Sequence, residues 1–347
     1  MASRLAEELP TRMGRQLQKF KALQVSEDSE GQYKGIVVDR GVAELSEGDT
    51  LIQVNYSSLN FKDAMSFSGN KAVTRQYPHT PGIDAAGTVI SSADAGLNEG
   101  DEVLVTGYDL GMNTSGGFGQ MIRVPSEWVV KLPSGLSQKE SMILGTAGFT
   151  AALCVEKLLL NGAEPGQGKV LVTGASGGVG MIAVALLSKL GFEVAASTGK
   201  QEAGDRLIKL GASEVLDRNV LGAENTRPML KEDWAAAVDV VGGDTLSNVI
   251  KSLRYGGSVA ACGLVQSPNF STTVLPFILR GVNLLGVDSV QLPVEIKRGL
   301  WSKLGAEWKL EQLEDICTDI GFGELEASLA QVLKGGANGR FVLDLNN

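Results

Sequence analysis

The stretch Val170-Leu-Val-Thr-Gly174-Ala-Ser-Gly177-Gly178-Val-Gly180, an apolar run that breaks into glycines and opens the apolar segment GMIAVALLSKLG, constrains this chain more than any other. A strand that turns directly into a helix needs glycine where the backbone reverses. The amides at the helix start then form a cradle for an anion. The order is G-x-x-G-G-x-G rather than G-x-G-x-x-G, and alone it fits plain strand–helix packing as well as phosphate binding. Its setting decides. From Lys169 the segments VLVTG, GMIAVALLSKLG, FEVAAS, a helix through RLIKLGA, EVL, AAAVDVVGG and GGSVAACG alternate strand and helix, and the strands lack a polar face. That is the pattern of a doubly wound parallel sheet with helices on both faces. Inside a β-α-β unit the glycine turn points to the pyrophosphate of a dinucleotide.

The end of the second strand separates NAD from NADP. NAD-binding sheets place a carboxylate there for the ribose 2′-hydroxyl. Here the strand ends Ala196-Ser-Thr198-Gly199-Lys200, with no acid until Glu202. A hydroxyl and an ammonium suit a 2′-phosphate. Capping and solvation explain Thr198 or Lys200 singly, but not the missing acid as well. Arg206 and Arg218 follow closely and can add positive charge.

The 347 residues exceed one ordinary domain core and suit two. From Lys21 to about Lys131, short β-rich runs (Thr50 to Tyr56, Gly87 to Ile90, Glu102 to Thr106, Gln120 to Val124) alternate with Gly, Asp and Pro, which predicts a mainly β module. At Ser137 the texture becomes helical through SQKESMILGTAGFTAALCVEKLLL, with Ser137 as N-cap and Glu140 as its capping-box partner. After about Asp288 the chain is amphipathic, including a helix over GLWSKLGAEWK, and it ends in the strand GRFVLDL, which returns to the first module. The expected division is an N-terminal extension over 1–19, a first domain over 20–145 and 286–347, and a dinucleotide domain over 146–285.

A net charge of −9 argues against a nucleic-acid surface, which needs a Lys/Arg excess on some face. Cys154, Cys262 and Cys317 are scattered and odd in number, which fits neither a disulfide framework nor a Cys-x-x-Cys metal site and suits a reducing, cytoplasmic location. The single histidine, His79, beside Pro78 and Pro81, reads as a surface or loop residue and leaves no His-rich zinc site. The first nineteen residues lack the pattern of a secretory signal and read as a frayed or helical extension, and no uninterrupted apolar run is long enough to span a membrane.

The β module followed by VTGASGGVG resembles the medium-chain dehydrogenase/reductase superfamily, which implies a GroES-like β-barrel catalytic domain and a Rossmann domain. The segments SSLNFKDAMSFSG, PGIDAAGTV, GTAGFTA, VTGASGGVG and TTVLPFILRGVNLLGVDS are similar to the acrylyl-CoA reductase group of its quinone-oxidoreductase-like branch. Where zinc alcohol dehydrogenases of this superfamily place a cysteine and a Gly-His-Glu, this chain has Asn60 and Gly82-Ile83-Asp84, and it has no four-cysteine lobe. The expectation is a zinc-free enzyme. A carbonyl-to-alcohol reaction then lacks its Lewis acid, whereas a conjugated alkene accepts hydride at its β-carbon with less help.

The resemblance implies NADPH contacts at Phe61 near the nicotinamide, at Ser176, Gly177, Gly178 and Val179 on the pyrophosphate, and at Thr198, Gly199 and Lys200 on the 2′-phosphate. Arg218, Leu264, Ile278 and Ser289 are implied as further contacts; a position near Gly335 that is asparagine in some relatives is left open. Leu264 has its own argument, because it follows Cys262-Gly263 at the end of an apolar strand, where such sheets hold ligands, or else is ordinary core. Asn60 and Asp63 are the candidate catalytic pair, Asn60 orienting a substrate carbonyl and Asp63 organising the loop with Lys62; the alternative is that both cap turns. Some related enoyl reductases have a tyrosine proton donor where Phe61 stands, so the proton for the α-carbon is assigned to water.

The expected activity is reduction of acrylyl-CoA by NADPH to propanoyl-CoA. A quinone or general enone reductase shares every cofactor feature, and a non-catalytic NADPH-binding protein is a third class. The apolar run Val274 to Val290 resembles the edge through which family members dimerise, which implies a homodimer; the alternative is a strand pair buried within one chain.

Overall fold

The computed structural model describes residues 19–346. The extension expected over the first nineteen residues therefore lies, up to residue 18, outside the described residues, and Lys19 already belongs to the first strand. The strands run β1 (Lys19–Glu27), β2 (Tyr33–Gly41), β3 (Thr50–Ser58), β4 (Asp84–Ser92), β5 (Glu102–Thr106), β6 (Met121–Val124), β7 (Val130–Lys131), β8 (Val170–Val172), β9 (Val194–Thr198), β10 (Ala212–Asp217), β11 (Trp234–Asp239), β12 (Leu253–Ala261), β13 (Asn283–Gly286), β14 (Cys317–Ile320) and β15 (Arg340–Asp344). The helices are α1 (Phe61–Phe67), α2 (Gln138–Leu160), α3 (Gly178–Lys189), α4 (Gly204–Lys209), α5 (Asn219–Gly222), α6 (Gly243–Ser252), α7 (Leu275–Arg280), α8 (Val294–Leu304) and α9 (Leu325–Leu333).

Two sheets divide the molecule. The six-stranded sheet has the order β10-β9-β8-β11-β12-β13, and all its pairs are parallel. Its central strand Val170-Leu171-Val172 is buried on both faces, which is why it lacks a polar side. The order reverses between β8 and β11, so a crevice opens at the C-terminal ends of these strands, beside the N-terminus of α3. The other sheet has the order β14-β15-β3-β4-β5-β7, with β6 on β3. Its Val342↔Ser58 register joins the end of the chain to β3. β1 and β2 form an antiparallel hairpin.

Helix α2 connects the two halves. It starts as the sequence predicts: Ser137 Oγ accepts from Glu140 N at 3.1 Å, and Ser137 N donates to Glu140 Oε2 at 2.8 Å. It is not continuous, however. Gly145 adopts φ 50°, ψ −156°, a conformation reserved in practice for glycine. A side chain there would also collide with Ser58 Oγ and come within 2.6 Å of Asp84 Oδ2. By length and composition α2 could cross a bilayer, contrary to the expectation that no segment could. Burial explains its apolar character: Met142, Ile143, Leu144, Phe149, Cys154, Val155 and Leu158 all lie in the core.

Two smaller expectations are corrected. The helix expected over GLWSKLGAEWK stops at Leu304, with Gly305 as C-cap against Pro133. His79 is not a surface residue: it is 7% exposed, and its Nε2 lies 2.9 Å from Gly111 O, a partner made by a loop more than thirty residues away.

Candidate active site

The glycine turn is built from division of labour. Gly174 has φ 58°, and a side chain there would lie 2.5 Å from Val240 Cγ2 at the end of β11. A side chain at Gly180 would run into the Gly174 carbonyl. These two glycines serve the turn and the strand–helix packing. Gly177 caps α3 in extended conformation, φ −85° and ψ 172°, and a Cβ there meets only Gly174 O at 3.4 Å. The open approach for an anion is therefore over Gly177, beside the first amides of the helix.

Around the turn stand the residues expected at a 2′-phosphate. Thr198 Oγ1 donates to Ser176 Oγ at 2.8 Å, and Lys200 N donates to Thr198 Oγ1 at 3.1 Å. The Arg218 side chain lies across Gly199, with Cδ 2.6 Å from where a Cβ would be, so Gly199 is needed for that approach. Lys200 Nζ bonds to Ala337 O, and Arg206 Nη1 bonds to Asn338 O at 3.1 Å. The loop between α9 and β15 thus reaches the same corner of the cleft. Burial lowers the Lys200 pKa, with Glu202 opposing.

On the other wall, α1 begins at Phe61 after the N-cap Asn60. Asp63 is fully enclosed and accepts two backbone amides, Asn60 N at 2.8 Å and Ile83 N at 2.8 Å. The turn-capping alternative is thus realised in its side chain. Burial, then the charge of Asp84, pushes the Asp63 carboxyl up to about 7. Phe61 is 48% exposed in front of this turn.

The residue that ties this wall together is Asp84, at the start of β4 and 0% exposed. Its Oδ2 accepts from Ser58 Oγ (2.6 Å), Asn60 Nδ2 (2.8 Å) and Thr146 N (2.8 Å). Its Oδ1 accepts from Thr146 Oγ1 at 2.5 Å. The kink at Gly145 is what turns the Thr146 amide toward this carboxylate. The Asn60 amide also meets Ser58 O, at 3.4 Å, and reaches toward the Asp63 carboxylate. Arg340, from β15, donates to Ile143 O (2.9 Å), Leu59 O (3.1 Å) and Asn60 Oδ1 (3.3 Å). It also lies beneath Gly178, whose Cβ would stand 3.0 Å from Nη1, and so joins the Asn60 wall to the glycine turn. Its Nη2 is buried without a partner.

Ser289, 9% exposed, lies 2.8 Å from Thr150 Oγ1 on α2. Next to it, Lys297 is wholly buried with Nζ bonded to Thr106 O (2.6 Å) and Val290 O (3.0 Å) and 3.6 Å from the Tyr108 ring centroid. Burial drives its pKa down to about 8, against the pull of Asp84 and Asp288. Leu264 is 59% exposed just past β12, beside Gly242 at the end of β11, so it is not ordinary core. Ile278 stands apart from these contacts, on α7 leading into the edge strand β13, and is 69% exposed.

Sequence reasoning passed over Asp84 as a binding partner and Arg340 and Lys297 altogether. Asp84 was visible only as a lost ligand position; nothing local marks Arg340, since its partners lie nearly two hundred residues or more away.

The arrangement fits a nicotinamide dinucleotide: an open helix N-terminus, a corner of hydroxyl and cationic groups, and a polar wall across the crevice. It does not fit zinc. Asp84 already accepts four hydrogens, Asn60 is an amide, and among the described residues no three His, Cys, Asp or Glu side chains gather.

A doubly wound sheet with its glycine turn facing a β-barrel wall defines an oxidoreductase of the two-domain dehydrogenase class. The family model for an alcohol dehydrogenase GroES-like domain matches residues 46–134, and that for a zinc-binding dehydrogenase matches 178–304. The chain belongs to the medium-chain dehydrogenase/reductase superfamily. It is 43% identical over 327 residues to the putative quinone oxidoreductase YhfP of Bacillus subtilis, covering 94% of this chain and 99% of that one. It is 42% identical over 328 residues to the acrylyl-CoA reductase AcuI of Ruegeria pomeroyi, with the same coverage of 94% and 99%. The yhdH oxidoreductase of Salmonella enterica, solved in complex with NADP, superposes with a TM-score of 0.90 at 42% identity, covering 93% of this chain and 99% of that one.

Proposed function

We propose that the protein reduces the conjugated carbon–carbon double bond of acrylyl-CoA with NADPH, giving propanoyl-CoA. The observation that carries this is the wall opposite the glycine turn, where Asn60 and Asp84, at positions that the resemblance matches to metal ligands of zinc alcohol dehydrogenases, form a hydrogen-bonded amide and carboxylate. Near-full-length similarity to an acrylyl-CoA reductase supports the substrate.

NADPH, when bound, supplies the hydride. Ser176 to Val179 would hold its pyrophosphate, Thr198, Gly199, Lys200 and Arg218 its 2′-phosphate, and Phe61, Leu264 and Ser289 would line the rest, with Ile278 standing apart from them within one copy. Asn60 offers the substrate thioester oxygen the amide hydrogen that meets Ser58 O at only 3.4 Å, where charge collects as hydride reaches the β-carbon. Asp63 holds the Asn60 turn through its two backbone bonds. Water returns the proton to the α-carbon. The protein works in the cytoplasm as a homodimer, joined along the edge that carries α7 and β13.

The test is NADPH oxidation with acrylyl-CoA, crotonyl-CoA and a simple quinone side by side. The expected result is a kcat/KM for acrylyl-CoA about tenfold or more above the others. A faster quinone reaction favours the activity named for the Bacillus subtilis relative. Binding of NADPH with no turnover on any of the three overturns the enzymatic reading.

A further inference from the structure

Asn60 is an odd choice to face a substrate, because an amide on a turn can rotate and offer its oxygen instead. Its local bonds hold it weakly: the Asp63 carboxylate caps the Asn60 backbone N, while the Asn60 side chain meets Ser58 O at 3.4 Å and reaches toward the Asp63 carboxylate. What fixes the amide comes from two other strands. Arg340, on β15, donates to Oδ1 at 3.3 Å, and Asp84, on β4, accepts from Nδ2 at 2.8 Å. A guanidinium only donates and a carboxylate without a proton only accepts, so a rotated amide would face a donor with its NH2 and an acceptor with its oxygen. Asp84 is in turn immobilised by Ser58 on β3 and by the amide and hydroxyl of Thr146, which the Gly145 kink presents.

We propose that Asp84 is a positioning residue for the reduction. Acting through Asn60, it fixes which way the amide faces and directs the remaining Nδ2 hydrogen at the substrate oxygen. The proposal rests on the reading of Asn60 as the residue that meets that oxygen. Asp84 also joins β3, β4, α1 and α2 in one bonded unit. A purely architectural role would make it matter for stability and cofactor binding alike, whereas a positioning role concentrates the effect on turnover and makes it depend on Asn60.

The experiment compares Asp84→Ala, Asp84→Asn, Asn60→Ala and the double variant Asn60→Ala/Asp84→Ala. It measures kcat and KM with acrylyl-CoA, NADPH dissociation constants by fluorescence titration, and melting temperature. The expected result is a fall in kcat of about tenfold or more in both alanine variants, with NADPH affinity within about twofold of the parent protein. The double variant is expected to be no slower than the slower single variant by more than about twofold. Asp84→Asn still offers an oxygen to Asn60 while Thr146 Oγ1 accepts from its NH2, so it recovers most of the turnover. Multiplicative losses in the double variant, or Asp84→Asn as slow as Asp84→Ala, overturn the proposal. A slow Asp84→Ala beside a fully active Asn60→Ala instead overturns the reading of Asn60 on which it rests. Should Asp84→Ala fail to fold, the exchange Asn60→Asp/Asp84→Asn keeps the question answerable. In the exchange the Thr146 amide, which donates to the same Asp84 oxygen as Asn60, keeps the oxygen of the new amide at position 84 on that side. The new carboxylate at position 60 therefore meets an acceptor, and kcat and melting temperature both stay at or below the Asn60→Asp level. Recovery of kcat in the exchange overturns the proposal.

Discussion

Asp63 and Asp84 are two enclosed carboxylates near one buried guanidinium, Arg340, whose hydrogen bonds go instead to Ile143 O, Leu59 O and Asn60 Oδ1. Asp63 bears the consequence, its carboxyl being held at about 7 by burial and by Asp84 against 3.8 in an unfolded chain. Between those values the folded protein keeps a proton that the unfolded chain has released. The stability this contributes is present at low pH and is lost as pH rises through 7. Comparing melting temperatures with Asp63→Asn checks it: the advantage of the parent protein should shrink as pH is raised from about 5 to about 8. A constant difference would refute the shift. At the opposite corner, Lys200→Ala should raise the KM for NADPH roughly tenfold, the order of one charge-assisted hydrogen bond, and leave that for NADH unchanged. Equal effects on both would remove Lys200 from the 2′-phosphate. The places of Thr198 and Lys200 were legible because one ends a strand and the other follows it. Asp84 and Arg340 were not, because their roles come from partners that only the folded sheet brings near.

At the scale of elements, apolar strands and the glycine turn were readable because each answers to a local rule: burial on both faces for β8, a positive φ at Gly174, a capping box at Ser137. The kink in α2 was hidden because SQKESMILGTAGFTAALCVEKLLL reads as helical on both sides of Gly145, while the Thr146 N bond to Asp84 that accompanies the break is made to a distant strand. Gly145→Ala should therefore be far worse than a glycine-to-alanine change within a regular helix. The backbone conformation alone costs about 1–3 kcal/mol, before the collision with Ser58 and Asp84. Chemical denaturation should show a loss of more than about 2 kcal/mol. A stabilised variant, as alanine gives in a regular helix, would mean that the helix runs straight and that the Asp84 unit is not formed as described.

For the whole molecule, the six-stranded sheet ends in β13, bonded to β12 on one side through Ser258↔Asn283 to Ala261↔Gly286 and open on the other. β13 does pair with β12 within the chain, as the alternative has it, but its residues are exposed or half-buried. An open edge with apolar side chains is a liability unless something covers it. Val274, Ile278 and Leu279 on or beside α7 and Leu284 on β13 are all exposed. An isologous pairing would place β13 and α7 of two copies together, extend the sheet, and cover these side chains. Such an interface needs roughly 1,200–2,000 Å² in total to be stable, within reach of an edge strand plus a helix from each copy. Sedimentation velocity should then show a dimer at micromolar concentration, and Leu279→Glu combined with Leu284→Lys should shift it to monomer. The glycine turn and the Asn60 wall lie at the crevice between β8 and β11, two strands inward from this edge. The monomer should therefore keep its NADPH affinity within about threefold. Dissociation accompanied by loss of NADPH binding would place the edge in the cofactor site, and a monomeric parent protein would rule out the pairing.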